Sequence, residues 1–184
     1  PGEYREMDSF FVGKDCVYVC DMGKRTIYSY SFDGKFLHSL SFPYSLVFND
    51  VVELPDGRFL CHRPSQSENC KGLWILDQKG RRVKNLLEYE KGTPCKNSYW
   101  NTLCAQEDGT IKIYNPVDGS YYQYDAVNDT VVRTMRQKSN LPMLADLHCS
   151  DRELYETKEE CTYSLFTVDG KNLVFSLWSF NSAN

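Results

Sequence analysis

Short runs of alternating apolar and polar residues recur along the chain, each closed by a turn signal. Ile27, Tyr28, Tyr30 and Phe32 run into Asp33-Gly34-Lys35, and Phe36, Leu37, His38, Leu40 and Phe42 follow. Two apolar runs around Asp-Gly are a strong local hairpin signal, because glycine supplies the positive φ the turn needs. In the second run Phe36, His38, Leu40 and Phe42 fall on one face of a strand of period two. The arrangement returns at Leu54-Pro55-Asp56-Gly57-Arg58-Phe59-Leu60-Cys61, and at Leu73 to Leu76 through Asp77-Gln78-Lys79-Gly80 to Val83 and Leu87. It returns again around Asp108-Gly109, Asp118-Gly119, Asn128-Asp129 and Asp169-Gly170. Helical periodicity is almost absent, so strands with at most one short helix are predicted.

A longer period lies over this one. The turns between the third and fourth strand of each unit fall at Gly34, Gly80 and Asp129, 46 and 49 residues apart, and each interval holds four strand candidates. Units of four antiparallel strands at a period in the forties are the pattern of β-propeller blades, since a lone blade cannot bury both faces. The predicted fold is therefore an all-β propeller of four-stranded antiparallel blades, with about three to four blades in this chain. The blades are placed at residues 8–42, 45–90 and 99–136, with a partial fourth at 143–180. A β-sandwich also gives short strands at regular intervals, but the repeated internal order favours the propeller. Alternation assigns Val17, Val19, Ile27, Phe36, Leu40 and Leu73 to the faces between blades. Ile75, Ile111, Ile113, Leu173 and Phe175 are assigned there too.

The 184 residues include 41% hydrophobic and 25% charged positions, an ordinary globular composition with room for a core. With 21 Lys and Arg against 25 Asp and Glu, the formal net charge is -4, which argues against nucleic acid as a partner. No apolar run is long enough to span a bilayer. The chain opens Pro1-Gly2-Glu3-Tyr4, without the basic and apolar regions of a signal segment, and is expected to be a processed form or part of something longer. Its eight cysteines include no CxxC. Cys16, Cys20 and Cys61 sit in apolar strand-like runs and are expected as buried free thiols, while Cys70 and Cys95, in polar loops, are the better disulfide candidates.

The stretch Val17-Tyr18-Val19-Cys20-Asp21, then Gly23-Lys24-Arg25-Thr26-Ile27-Tyr28 and Asp33-Gly34-Lys35, resembles an NHL-type repeat. That repeat runs strand–Asp, short loop, Arg-Ile-aromatic strand, Asp-Gly-Lys. Together with the opening residues it looks like the six-bladed β-propeller proteins of Bacteroides-type bacteria, chiefly over residues 1–90. Blade two departs from the pattern with Cys61-His62-Arg63, and blade three with Ser120-Tyr121-Tyr122. The resemblance implies an exported protein, often a lipoprotein, in the periplasm or at the outer membrane or cell surface. Six blades need about 270 residues, so this chain is expected to be an incomplete propeller. Its open faces would then be covered by missing blades or by self-association.

Candidate chemistry is sparse. There is no P-loop, GxSxG, HExxH or GxGxxG. His38, beside Phe36 and Leu40, is expected to be a core histidine, and His148 is uninformative. His62 is expected to open a polar loop, 62–70, on the face where ligands approach a propeller channel. Lys24 and Arg25 occupy the equivalent loop of blade one, and with His62 and Arg63 they would receive an anionic group. Tyr99 and Trp100 would stack on a ring or pack a partner's side chain. Asp50, Glu53, Asp108 and Asp146 are the carboxylates available for acid–base or Ca²⁺ chemistry, although their spacing matches no calcium loop. Tyr121, Tyr122 and Tyr124 read as packing between blades, Asn128-Asp129 as a turn, and 151–161 as charged surface.

Three functions follow from this pattern. The first is a cell-envelope propeller that recognises a protein or glycan partner through its loop face, with no cofactor and no metal. The second is an NHL-like lyase or hydrolase with a metal on the axis, for which only His62, Asp50 and Asp146 are candidates. The third is a purely structural assembly module. The absence of a nucleophile–base or metal motif favours a binding protein over an enzyme.

Overall fold

A computed structural model describes residues 4–5, 7–67, 70–88, 102–106, 109–115, 120–136, 162–169 and 172–179. Among them the regular structure is all β. The first sheet is formed in chain order by β1 (Met7–Val12), β2 (Val17–Asp21), β3 (Thr26–Tyr30) and β4 (Phe36–Ser41). The second holds β5 (Asp50–Glu53), β6 (Phe59–Ser67), β7 (Cys70–Leu76) and β8 (Arg82–Leu87). The third holds β9 (Leu103–Ala105), β10 (Ile111–Asn115), β11 (Ser120–Asp125) and β12 (Thr130–Arg136). A further antiparallel pair, β13 (Thr162–Asp169) and β14 (Asn172–Ser179), follows. Three up-and-down sheets of four antiparallel strands make this a partial propeller of about three blades.

The turns explain the hairpins. Gly34 and Gly80 adopt φ of 85° and 74°, and Asp129 takes the same left-handed conformation at 50°. A side chain at Gly80 would collide with its neighbour, since a Cβ there would sit 2.0 Å from the Ser41 carbonyl oxygen. Gly34 has open space around it, so its requirement is conformational alone.

Two apolar cores join the three blades. The first packs Cys16, Tyr18, Cys20 and Ile27 of blade one against Val51, Phe59, Cys61, Trp74 and Leu76 of blade two. The second packs Leu60, Leu73 and Ile75 of blade two against Ile111, Ile113, Tyr122 and Tyr124 of blade three. Cys16, Cys20 and Cys61 are buried free thiols. Blade two shows the period-two logic directly, because Phe59 and Cys61 face one neighbour while Leu60 faces the other.

Blade one corrects the sequence reading. Ile27, Leu73, Ile75, Ile111 and Ile113 are buried as expected. Phe36, however, is 47% exposed, Val17, Val19 and Leu40 are only partly buried, and His38 is exposed. The residues that pack on blade two are Tyr18 and Cys20 of β2 and Cys16 just before it, the opposite face from Val17 and Val19. Phe10 and Val12 share that opposite face through the β1–β2 register and are exposed as well. β4 is the outer strand, where a blade is least covered. Leu173 and Phe175 lie on β14, and their side chains fall outside the described residues.

Candidate functional site

Successive strands run antiparallel, so the loops joining second to third strands and those joining one blade to the next emerge at the same end of the molecule. At this end, in blade one, Asp21 closes β2. Its carboxylate accepts the Lys24 N–H at 2.9 Å and the Arg5 N–H at 2.7 Å, which fixes the tight turn Met22–Arg25. Asp21 is fully buried, and the "strand–Asp" of the repeat pattern therefore has a structural task.

Arg25 is held in an uncommon backbone conformation, with φ of 54°. Its carbonyl accepts the Phe42 N–H at 2.9 Å, so the chain entering the next loop locks it there. The guanidinium lies 5.6 Å from the ring centroid of Tyr44, itself 73% exposed on the loop leading to blade two. Its Nε is shielded from water and has no hydrogen-bond partner among the described residues. The sequence reading singled out Lys24 and Arg25; Tyr44 it missed, although its position on the blade-to-blade loop is a usable signal.

His62 and Arg63 do not open a loop. β6 continues to Ser67, Cys70 already belongs to β7, and Arg63 pairs with Gly72 across the hairpin. The His62 ring is fully buried between blades two and three, where Nδ1 lies 2.7 Å from the Thr102 hydroxyl. Burial pushes its pKa from 6.5 down to about 3, so the ring is neutral at neutral pH. Opposite it in the β5–β6 ladder stands Asp50. The Asp50 carboxylate accepts the N–H groups of Thr102 at 2.7 Å and of Leu103 at 2.9 Å. Burial pushes this carboxyl from 3.8 up to about 6, against the pull of those amide hydrogen bonds. Asp50, His62 and Thr102 thus tie the start of blade three to blade two. The sequence reading named Asp50 and His62 separately, and the strand register brings them together.

Beside them the Asn49 N–H donates to the His62 carbonyl at 2.9 Å, while its Oδ1 is withdrawn from water without a partner among the described residues. Tyr99, Trp100, Asp108 and Asp146 lie outside the described residues, as do Cys95 and His148. Glu53 sits at the other end of β5, where it accepts a hydrogen bond from the Tyr18 hydroxyl at 2.8 Å. Among the described residues no three His, Cys, Asp or Glu side chains are grouped to hold a metal ion.

A family model described as a 6-bladed beta-propeller matches residues 1–176, and the chain belongs to that family. An exported protein of Bacteroides fragilis shares the fold, with a TM-score of 0.64 at 16% identity. The match covers 98% of this chain and 59% of that protein. Virginiamycin B lyase from Staphylococcus aureus matches with a TM-score of 0.51 at 11% identity, over 76% of this chain and 44% of the lyase. The chain therefore spans less than two thirds of the length of either structure, and at these identities the likeness is one of fold. No curated protein matches the chain.

Proposed function

We propose that this chain is part of an exported cell-envelope propeller that binds a protein or glycan partner at the loop end carrying Arg25 and Asn49. The observation that carries the reading is Arg25. Two costs meet in one residue, a positive φ and an Nε shielded from water without a hydrogen bond among the described residues, and a cation–π contact holds the cation over an exposed ring. A shielded polar atom left unpaired costs about 1–3 kcal/mol. Such a cost is tolerated where an incoming acceptor completes the hydrogen bond. Asn49 Oδ1, at the same end, offers the complementary acceptor. Lys24 and Arg63 add positive charge, and Tyr99 and Trp100 belong to the same blade-to-blade connection as Thr102. His62 serves by holding Thr102 in place, since its buried ring cannot meet a ligand directly.

Export to the periplasm or the cell surface is part of the proposal, supported by the exported Bacteroides protein of the same fold. The competing reading is an NHL-like lyase or hydrolase with a metal on the axis, and a lyase is among the proteins of the same fold. Of its candidates, Asp50 and His62 are engaged with Thr102, which favours binding over catalysis, and Asp146 lies outside the described residues.

The test uses the full-length protein on a glycan array and against envelope extracts, with a Lys24→Ala/Arg25→Ala variant in parallel. The reading expects a saturable ligand whose affinity falls at least about tenfold in the variant, equivalent to about 1.4 kcal/mol. Unchanged affinity for a confirmed ligand would remove this end of the propeller from consideration.

A further inference from the structure

The turns of blade two that carry Gly57 and Gln78 border a concavity against blade one. Between blades one and two lies a cleft of about 370 Å³, near the lower end of the range for small-molecule pockets. Its position follows from the register. Ile27, Ser29, His38 and Leu40 point from blade one toward blade two, because Ile27 pairs with Leu40 and Ser29 with His38 on one face. Phe59, Glu53 and the turn residue Gln78 close it from blade two.

The wall has two kinds of chemistry. Its apolar side is the partly exposed Leu40 with the buried Ile27 and Phe59. Facing it are a hydroxyl, an imidazole, a carboxylate and an amide. The Ser29 hydroxyl lies 3.2 Å from His38 Nε2, so this pair both donates and accepts. Glu53 is held in place by the Tyr18 hydroxyl at 2.8 Å and by the Lys14 N–H at 3.4 Å, which leaves acceptor capacity on both oxygens. Gln78 donates to the Asp56 carbonyl at 3.3 Å and keeps its own carbonyl oxygen as a further acceptor. Among the described residues no Lys or Arg side chain lines the cleft, and the fixed charge they place there, on Glu53, is negative.

We propose that this cleft binds a single neutral sugar ring. A pyranose has an apolar face for the Ile27–Leu40–Phe59 side and a girdle of hydroxyls for the acceptors opposite. A positioned carboxylate and an amide carbonyl accept hydroxyl hydrogens well, and Ser29–His38 can answer either polarity. An acidic sugar would set its carboxylate against Glu53 with no cation to compensate. The site is separate from the loop end, because β5 places Asp50 at one end and Glu53 at the other.

The experiment titrates the full chain with glucose, galactose and mannose by heteronuclear NMR, with glucosamine and glucuronate as charged controls. One neutral sugar should give saturable shifts with a Kd on the order of 1 mM. His38→Trp, a substitution at an exposed strand position whose side chain points into the cleft, should abolish those shifts. Glu53→Gln should weaken binding about tenfold, whereas Lys24→Ala/Arg25→Ala should leave it unchanged. The last comparison separates failure of this site from failure of the loop-end proposal. The inference is overturned if no neutral sugar saturates by about 100 mM. It is equally overturned if glucuronate or glucosamine binds more tightly than the neutral sugars, or if His38→Trp binds as wild type does.

Discussion

The junction between blades one and two and the junction between blades two and three are built from the same blade plan, yet they are closed differently. The first is a meeting of rings. Phe11 stacks on Tyr18 at 4.7 Å, and Tyr18 meets Phe59 edge-on at 5.4 Å. At its outer side backbone touches backbone, where Gly80 comes against Ser41. The second junction is fastened at both ends by side-chain charge. Asp50 holds Thr102 and Leu103 at the loop end, and at the turn end Arg58 grips Asp129 through two hydrogen bonds of 2.9 and 3.0 Å. Gly80 and Asp129 occupy the same turn slot in successive blades, one without a side chain and one whose side chain is the clasp. The first junction, where Glu53 accepts from Tyr18 and Lys14 in place of an ion pair, carries the cleft beside Ser29 and His38.

The largest effect expected from this difference lies in the cores. Ile27 and Ile113 are both fully buried, one at each junction. Ile113→Ala should cost about 2–5 kcal/mol, because a closed core leaves a cavity behind. Ile27 lines the 370 Å³ cleft although it is itself fully buried, so the space left by truncation adjoins that cleft rather than a closed core. Ile27→Ala should therefore cost at least about 1 kcal/mol less, read from urea midpoints at unchanged slope. Equal losses would show that the cleft is not filled by water, and the contrast between the junctions would fail.

Acid titration sharpens the same contrast, since the second junction buries two titratable groups that shift in opposite directions. Asp50 rises from 3.8 to about 6, and His62 falls from 6.5 to about 3. Between about pH 4 and 6 the folded protein holds a proton on Asp50 that the unfolded chain has lost. Over the same window the unfolded chain holds one on His62 that the folded protein lacks. The Asp50 contribution falls as pH rises through this window, the His62 contribution grows, and the two slopes cancel. Asp50→Asn removes the first and exposes the second. Relative to wild type, the variant should gain roughly 2–3 kcal/mol as the pH moves from 4 to 6. A difference that runs the other way would mean that the amide hydrogen bonds to Asp50 outweigh its burial.

Much of this architecture is legible in the sequence. The spacing of Gly34, Gly80 and Asp129 marks three turns that all adopt positive φ, because only a few residue types tolerate that conformation and the blade repeats it. The closure of each junction is not legible. Both β2 faces alternate apolar residues, so Val17 and Val19 read as well as Cys16, Tyr18 and Cys20 until the neighbouring blade is in place. His38 looks internal by its strand neighbours, yet it sits on an outer strand at the rim of a cleft. His62 and Arg63 look like a loop base because Pro64 and Ser65 follow, while β6 in fact runs through them. Asp50 and Thr102 are 52 residues apart and Arg58 and Asp129 are 71 apart, and no local pattern joins either pair.

The smallest effect, and the most direct test of the clasp, concerns Asp129. Its carboxyl is held below the usual range, first by the Arg58 guanidinium, and it also accepts a hydrogen bond from the Tyr124 hydroxyl. Arg58 also pairs with Asp56 at 2.6 Å, so losing Asp129 does not leave the guanidinium bare. Both partners of the clasp are about one-quarter exposed, and solvent screening keeps the pair well below the value of a buried one. Arg58→Ala should therefore cost about 1–2 kcal/mol in urea denaturation. Asp129 also carries the strain of its φ of 50°, which glycine would relieve. Asp129→Gly should accordingly cost less than Asp129→Ala by roughly 1 kcal/mol, although both remove the same carboxylate. In a double-mutant cycle, Arg58→Ala made in the Asp129→Gly background should lose most of its effect, since its principal partner is already gone. Additive losses would show that the charges do not hold blades two and three together, and that the second junction, like the first, is closed by its apolar core.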